Sequence, residues 1–272
     1  MNGRWRYGQV TRALVGVCLC SSAALSAEDG GAVTTPAPRA AAEATAQGGS
    51  PPSKQVSSSH AKDRGAIVYQ RNCSWCHGAA GDGTGPSAHR FANPATNFTA
   101  GVFKCRSTPA GSLPTDGDLR RSINAGLDAT GMPSFIALGP MQIDELVETV
   151  KLFSPRFEKE TPKPAPLPPE PPDSPASVAH GKEVYASMKC ATCHGERGEG
   201  GPGALKLRNP DGTEAHVTDF TRWHGLKCGD EPAQIYDSIA NGLDGTAMAP
   251  YAGAMSPEDG WNLVHYIIRL RR

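Results

Sequence analysis

The sequence predicts an all-α protein made of two small helical domains in tandem. Three observations predict it. Residues 61–153 and 177–272 repeat each other, a proline-rich stretch separates them, and apolar residues in both halves fall at helical spacing. Ser122-Ile123-Asn124-Ala125-Gly126-Leu127-Asp128 pairs with Ser238-Ile239-Ala240-Asn241-Gly242-Leu243-Asp244, and the match runs on without a gap to Thr130 and Met132 opposite Thr246 and Met248. Upstream, Gly65 and Tyr69 correspond to Gly181 and Tyr185, Asn97-Phe98-Thr99 to Asp219-Phe220-Thr221, and Phe103-Lys104-Cys105 to Leu226-Lys227-Cys228. In each half a first helix is expected over about 61–72 and 177–189. A short helix then carries Leu119 and Ile123, or Ile235 and Ile239, both at i,i+4. A closing helix presents Ile143, Leu146, Val147, Val150 and Phe153 in the first half. In the second half it starts at an N-cap and N1 pair, Ser256-Pro257, and runs through Trp261, Leu263, Val264, Tyr266, Ile267, Ile268 and Leu270. No convincing strand pattern is present.

The flanking segments differ in kind. Residues 1–27 read as a secretory signal peptide, with Arg4, Arg6 and Arg12 ahead of the apolar run 13–25 and small residues at Ser26-Ala27. That run is shorter than the ~20 residues of a membrane span, although an uncleaved anchor is the alternative. Export would place the chain in an oxidising compartment, the periplasm. Residues 28–60, rich in Ala, Pro, Gly and Ser, cannot bury enough apolar surface to offset ordering entropy and read as a disordered tether. Residues 154–176 hold nine prolines and read as a semi-rigid polyproline linker. Without residues 1–27 the chain carries 24 basic and 27 acidic residues, so no basic footprint for nucleic acid remains.

The chemistry is concentrated in a pentapeptide that occurs twice, Cys73-Ser74-Trp75-Cys76-His77 and Cys190-Ala191-Thr192-Cys193-His194. Cys-x-x-Cys-His is the attachment signature of c-type haem. The thiols form thioethers to the vinyl groups, and the adjacent imidazole lies under the iron. A dithiol redox pair would want a βαβ context, and a structural zinc site would want two Cys pairs much closer together. The scarcity of aliphatic residues in blocks of about 95 residues agrees, because a haem supplies a large apolar core in one piece.

The remaining ligand candidates come from the repeat. Met132 and Met248 share a repeat position, and Pro133 and Pro250 close behind them favour extended backbone that can aim a thioether at an iron. Met141, Met188 and Met255 have no repeat partners and read as packing. Pro86 and Pro202 each follow a Gly soon after the motif. A carbonyl there could accept the imidazole Nδ1–H and orient the ring; an ordinary turn is the plainer reading. Cys105 and Cys228 are repeat-equivalent, and three readings stand: inert thiols, a disulfide joining the halves, or replacement of a methionine as ligand. His60, His89, His180, His216, His224 and His265 lack repeat partners and read as surface or satisfied histidines. His265 could be half-buried, and His224, near the second Lys-Cys, is the one worth checking as a ligand. Trp75, Trp223 and Trp261 are expected to pack against haem or helix.

Taken together, each half resembles a class I cytochrome c domain, with a helix into Cys-x-x-Cys-His-Gly, a Gly-Pro loop, a methionine loop and a closing helix. The tandem resembles diheme cytochromes of the c4 type over about 61–272. The resemblance implies a few helices wrapped around a covalent haem in each domain and two haems c in all. It also implies electron carriage between partners such as a quinol-oxidising complex and a terminal oxidase or reductase. Membrane contact would then come through a partner or an uncleaved leader. His/Met ligation fills both axial positions and suits electron transfer rather than catalysis. The alternative is a haem enzyme or enzyme subunit: a diheme peroxidase, a thiosulfate-oxidising cytochrome or a dehydrogenase cytochrome subunit, any of which needs an open or labile sixth position.

Overall fold

The same helical plan is laid down twice. In the computed structural model, which describes residues 58–222 and 225–271, the first half contains α1 (Ser58–Asn72), α2 (Ser74–His77), α3 (Asp116–Ala125) and α4 (Pro140–Leu152). After the short α5 (Arg156–Lys159), the second half repeats the order as α6 (Pro175–Ser187), α7 (Ala191–His194), α8 (Pro232–Asn241) and α9 (Pro257–Leu270). Among the described residues there is no strand, and isolated bridges join Leu127 to Met132 and Arg208 to Glu214. The leader at 1–27, the tether up to residue 57, Trp223 and His224 lie outside the described residues. Ser58, Ser59 and His60, expected in the tether, open α1 instead.

Helix starts are written in the local sequence. Thr115 caps α3 in a reciprocal box with Asp118, Ser256 caps α9 with Asp259, and Ser174 caps α6 ahead of Pro175 at N1. The first and last helices of each half cross closely, α1 on α4 and α6 on α9. Both crossings need a glycine. A Cβ on Gly65 would lie 2.6 Å from the Glu145 carbonyl oxygen, and one on Gly181 would strike the Asn262 carbonyl. Around these crossings Tyr69, Ile143, Leu146 and Val147 form one core, and Tyr185, Trp261, Leu263 and Val264 the other.

The linker is more than a spacer. Its carbonyls and acids dock on α9: Trp261 Nε1 donates to the Pro168 carbonyl (3.1 Å), Arg269 pairs with Asp173 (2.8 Å), and buried His265 meets Glu170 (3.3 Å). The Ala165 amide donates to Ser107 of the first half (2.8 Å). A polyproline segment pairs its backbone groups in no internal ladder, which is why an indole N–H can claim the Pro168 carbonyl and the Ala165 amide can donate to Ser107. His265, expected to be half-buried, is fully buried and also bonds Ser177 (2.5 Å).

The halves meet through residues 102–121 of the first and 227–245 of the second. Cys105 and Cys228 are disulfide-bonded, with Cα atoms 5.0 Å apart, so neither is a free thiol or a methionine substitute. At the same interface burial, with Asp118 adding to it, pushes the Asp237 carboxyl up to about 6, against an opposing pull from Arg121.

Two substitutions test this packing. Gly181→Ala forces α6 off α9 and is expected to cost about 1–3 kcal/mol, read as a lowered denaturation midpoint. Because the folded carboxyl of Asp237 binds its proton more tightly than the unfolded one, folding loses stability as pH rises from about 4 to about 6. Asp237→Asn should therefore raise Tm at pH 7 and leave it nearly unchanged at pH 4.

Candidate haem sites

Each Cys-x-x-Cys-His forms a single tight turn straight off the first helix. His77 N donates to the Cys73 carbonyl (2.9 Å), and His194 N to that of Cys190 (2.9 Å). The glycine next in the chain leaves the helix in the left-handed region, at φ +77° for Gly78 and +82° for Gly195. A buried tyrosine from the preceding helix fixes that glycine. Tyr69 Oη donates to the Gly78 carbonyl (2.8 Å) and Tyr185 Oη to that of Gly195 (2.7 Å).

The imidazoles are held the same way in both halves. His77 Nδ1 donates to the Thr96 carbonyl (3.0 Å) and His194 Nδ1 to that of Thr218 (3.2 Å). A carbonyl can only accept, so Nδ1 carries the hydrogen and Nε2 keeps a lone pair for a metal. Each ring also stacks on a phenylalanine: His77 on Phe98 (4.5 Å, 19°) and His194 on Phe220 (4.4 Å, 16°). Burial lowers both histidine pKa values, which favours the neutral ring a ligand must be. The phenylalanine loops are themselves pinned, since Asn97 and Asp219 accept from the amide and hydroxyl of Thr99 and Thr221.

The methionine loop is built alike in both halves. Leu127 N donates to the Met132 carbonyl (2.9 Å) and Leu243 N to that of Met248 (3.0 Å). Thr130 and Thr246 brace the loops from inside, their hydroxyls donating to the Leu127 and Leu243 carbonyls (2.7 and 2.6 Å). Gly126 and Gly242, at φ +74° and +66°, let α3 and α8 turn directly into these loops, and a Cβ on either would lie 2.8 Å from the methionine carbonyl.

Each half has an open-mouthed cleft, about 1250 Å³ in the first and about 950 Å³ in the second when the solvent at the mouth is counted. Cys73, Cys76, His77 and Met132 all line the first, and Cys190, Cys193, His194 and Met248 the second. The walls are otherwise mainly apolar, from Leu119, Ile123 and Leu146 or Ile239, Leu243 and Leu263. None of the four motif cysteines is in a disulfide, and in the unloaded chain burial pushes the Cys73 thiol up to about 12 and that of Cys190 up to about 11. Half-buried Lys104 and Lys227 also line the clefts. Burial lowers both ammonium pKa values, that of Lys227 to about 8 with the charge of Lys104 adding to it. Among the described residues no carboxylate lies within ion-pair distance of either. A large apolar plate bearing carboxylates, with a metal at its centre, fits every part of this lining, and haem is such a group.

Some placements differ from the sequence reading. The Gly-Pro turns brace the motif backbone instead of the ring: Gly85 N donates to the Cys76 carbonyl (3.2 Å) and Gly201 N to that of Cys193 (2.8 Å). Pro86 and Pro202 therefore do not supply the imidazole's acceptor, which is Thr96 or Thr218. Trp75 is 62% exposed, whereas Trp261 is buried against Tyr236. His216 lines the second cleft, and its carbonyl accepts from Lys227. His180 sits at the surface, paired with Asp259 (2.8 Å).

Comparison with known proteins places this architecture. The sequence model for cytochrome c oxidase, cbb3-type, subunit III matches residues 60–148 and again 176–267. The chain belongs to that family. It is a tandem c-type cytochrome, a protein of electron transfer. Its curated relatives include the cbb3-type cytochrome c oxidase subunit CcoP of Azospirillum brasilense and that of Azospirillum sp. (strain B510), each 27% identical over 191 residues, 68% of this chain and 54% of the relative. The chain thus spans about half the length of these relatives. Among solved structures, a chain of the Kuenenia stuttgartiensis reducing HAO-like protein complex Kustc0457/Kustc0458 superposes with a TM-score of 0.73 at 32% identity, over 77% of this chain and 96% of that one.

Two measurements bear on the sites. Alkylation of the unfolded, unreduced, haem-loaded protein should label no thiol of residues 58–271, and reduction should expose Cys105 and Cys228 alone. Cys105→Ser with Cys228→Ser opens a covalent loop with a sequence separation of 123 residues and is expected to cost up to about 5 kcal/mol, read by chemical denaturation.

Proposed function

We propose that this chain is an exported diheme c-type cytochrome that passes electrons between redox partners through two His/Met-ligated haems. Cys73, Cys76, His77 and Met132 would hold one haem, and Cys190, Cys193, His194 and Met248 the other. Bound haem supplies a one-electron iron couple that the side chains themselves lack. The observation that carries this reading is that each half brings its own motif cysteines, histidine and repeat-equivalent methionine to the wall of a single cleft.

The protein's own contribution is positional. Thr96 and Thr218 hold the Nδ1 protons and so direct each Nε2 into its cleft. Met132 and Met248, on loops lining the same clefts, would fill the sixth positions and leave none for a substrate. Lys104 and Lys227 would receive the haem carboxylates, which relieves two half-buried charges. Phenylalanine and aliphatic walls would keep water off a bound iron and so tune its affinity for the electron. No helix among the described residues is long and apolar enough to cross a membrane, and the arginine-led apolar segment at 1–27 supports export to the periplasm. A quinol-oxidising complex as donor and a terminal oxidase or reductase as acceptor are the partner classes that suit such a carrier.

The relatives favour a second reading, in which the chain is the cytochrome subunit of a larger oxidoreductase: the curated ones are described as oxidase subunits and the solved one as part of a complex. The iron ligands are the same in both readings. Co-purification of a stoichiometric partner from the native source would favour the subunit, and a free diheme protein the carrier.

The ligand set is tested by spectroscopy of the mature protein. The ferric form should show the far-red methionine–iron band, the reduced form should not bind carbon monoxide, and Met132→Ala and Met248→Ala should each remove about half the band. High-spin ferric iron, or carbon monoxide binding by the unmodified protein, would show an open site and contradict the assignment.

A further inference from the structure

Arg106 belongs to the first half by sequence and to the second by its contacts. Its side chain is 0% exposed. Nη2 donates to the Asn241 carbonyl (2.9 Å) and to Asp244 Oδ1 (2.7 Å), and Nη1 to the Gly242 carbonyl (3.1 Å). Nε is closed off within its own half by the Pro109 carbonyl (3.3 Å). Asp244 is held from the same side, since its Oδ2 accepts from the Gly111 amide (2.8 Å).

The two carbonyls are those at the end of α8, where Gly242 is the C-cap. Terminal carbonyls have no intrahelical donor, and they form the negative end of the helix dipole. A guanidinium is matched to both needs. The Met248 loop begins where α8 ends: Gly242 packs on the Met248 carbonyl, and Leu243, the next residue, closes the loop onto Met248 and lines the second cleft. A side chain of the first domain thus sets the footing of the second methionine.

The contact has no mirror image in the repeat. The position equivalent to Arg106 is Gly229, beside Lys227-Cys228 as Arg106 is beside Lys104-Cys105. Glycine has no side chain with which to return the grip.

We propose that Arg106 is a cross-domain positioning residue: it fixes the Met248 loop from the first domain and makes the second redox centre depend on the first, while the first does not depend on the second in this way. This rests on Met248 being an iron ligand. Loss of the guanidinium unties the end of α8 and takes the ion-pair partner from Asp244, next in the chain to cleft-lining Leu243, leaving its carboxylate only the Gly111 amide and the charge of Arg156. Both effects disfavour adding an electron there, because an uncompensated negative charge acts strongly where water is sparse.

The test uses the full mature chain with both haems attached and the disulfide intact, comparing Arg106→Gln with Arg106→Lys. Arg106→Gln should lower one of the two midpoint potentials and leave the other in place, with the far-red methionine band weakened toward about half. In a Met132→Ala background, where the remaining band belongs to Met248, Arg106→Gln should weaken that band further. Arg106→Lys, which keeps the charge, should restore most of the potential. Two unchanged potentials in the haem-loaded Arg106→Gln protein would overturn the proposal, as would an equal shift in both. Should Arg106→Gln fail to load haem, Asp244→Asn, which removes the carboxylate and leaves the guanidinium charge at the same place, should raise one midpoint potential alone; two unchanged potentials, or an equal shift in both, would overturn the proposal too. A band indifferent to Met248→Ala would instead remove the ligand reading, and this proposal with it.

Discussion

The structure turns on one hydrogen bond made twice, from an imidazole Nδ1 to a backbone carbonyl. It decides which ring nitrogen faces the cleft, and so whether Cys-x-x-Cys-His can do more than carry two thiols. Much else serves that bond. The threonine carbonyl is placed by a loop that an Asx-type turn stiffens, and the phenylalanine of that loop stacks on the ring it orients. From the other side a tyrosine of the first helix holds the glycine that ends the motif. Burial then keeps the ring neutral. The glycine-mediated helix crossings fix the frame in which loop and motif meet.

Duplication explains the symmetry of the two sites, and the interface explains how they differ. The disulfide joins equivalent cysteines and is symmetric in itself. The two lysines beside it are equivalent as well, and burial lowers the pKa of each. Arg106 breaks the pattern, because one half has a guanidinium where the other has glycine. The proline-rich segment adds a second asymmetry: it fastens α9 of the second half while its start stays hydrogen-bonded to the first. Two copies of one domain are in this way set in unequal surroundings.

Much of this was legible in the sequence, for physical reasons. Haem attachment needs two thiols and an imidazole within five residues, so the motif is local and survives reading without a structure. The methionines sit in a loop whose turn residues are fixed on both sides, and the repeat therefore aligns them without a gap. The imidazole's acceptor was not legible. It lies 19 residues from His77 but 24 from His194, in loops of unequal length. The Gly-Pro turns, nearer in sequence, drew attention that belonged to Thr96 and Thr218. A useful signal was present in the paired Asn97-Phe98-Thr99 and Asp219-Phe220-Thr221, each beginning one residue after the acceptor. Composition made the linker a spacer, because proline content reports stiffness and says nothing of an indole on another helix ready to bond its carbonyl. Nor could sequence choose among the readings of Cys105 and Cys228, since spacing along the chain does not reveal which faces meet.

The central claim is that both pentapeptides hold haem covalently. Intact mass of the purified, exported protein under denaturing conditions tests it most directly, because thioether-linked haem survives unfolding and ligand-bound haem does not. The account predicts a chain heavier than its polypeptide by two haems, with the added mass retained on peptides containing Cys73–His77 and Cys190–His194. A colourless protein with the bare polypeptide mass, or one haem in place of two, would contradict it.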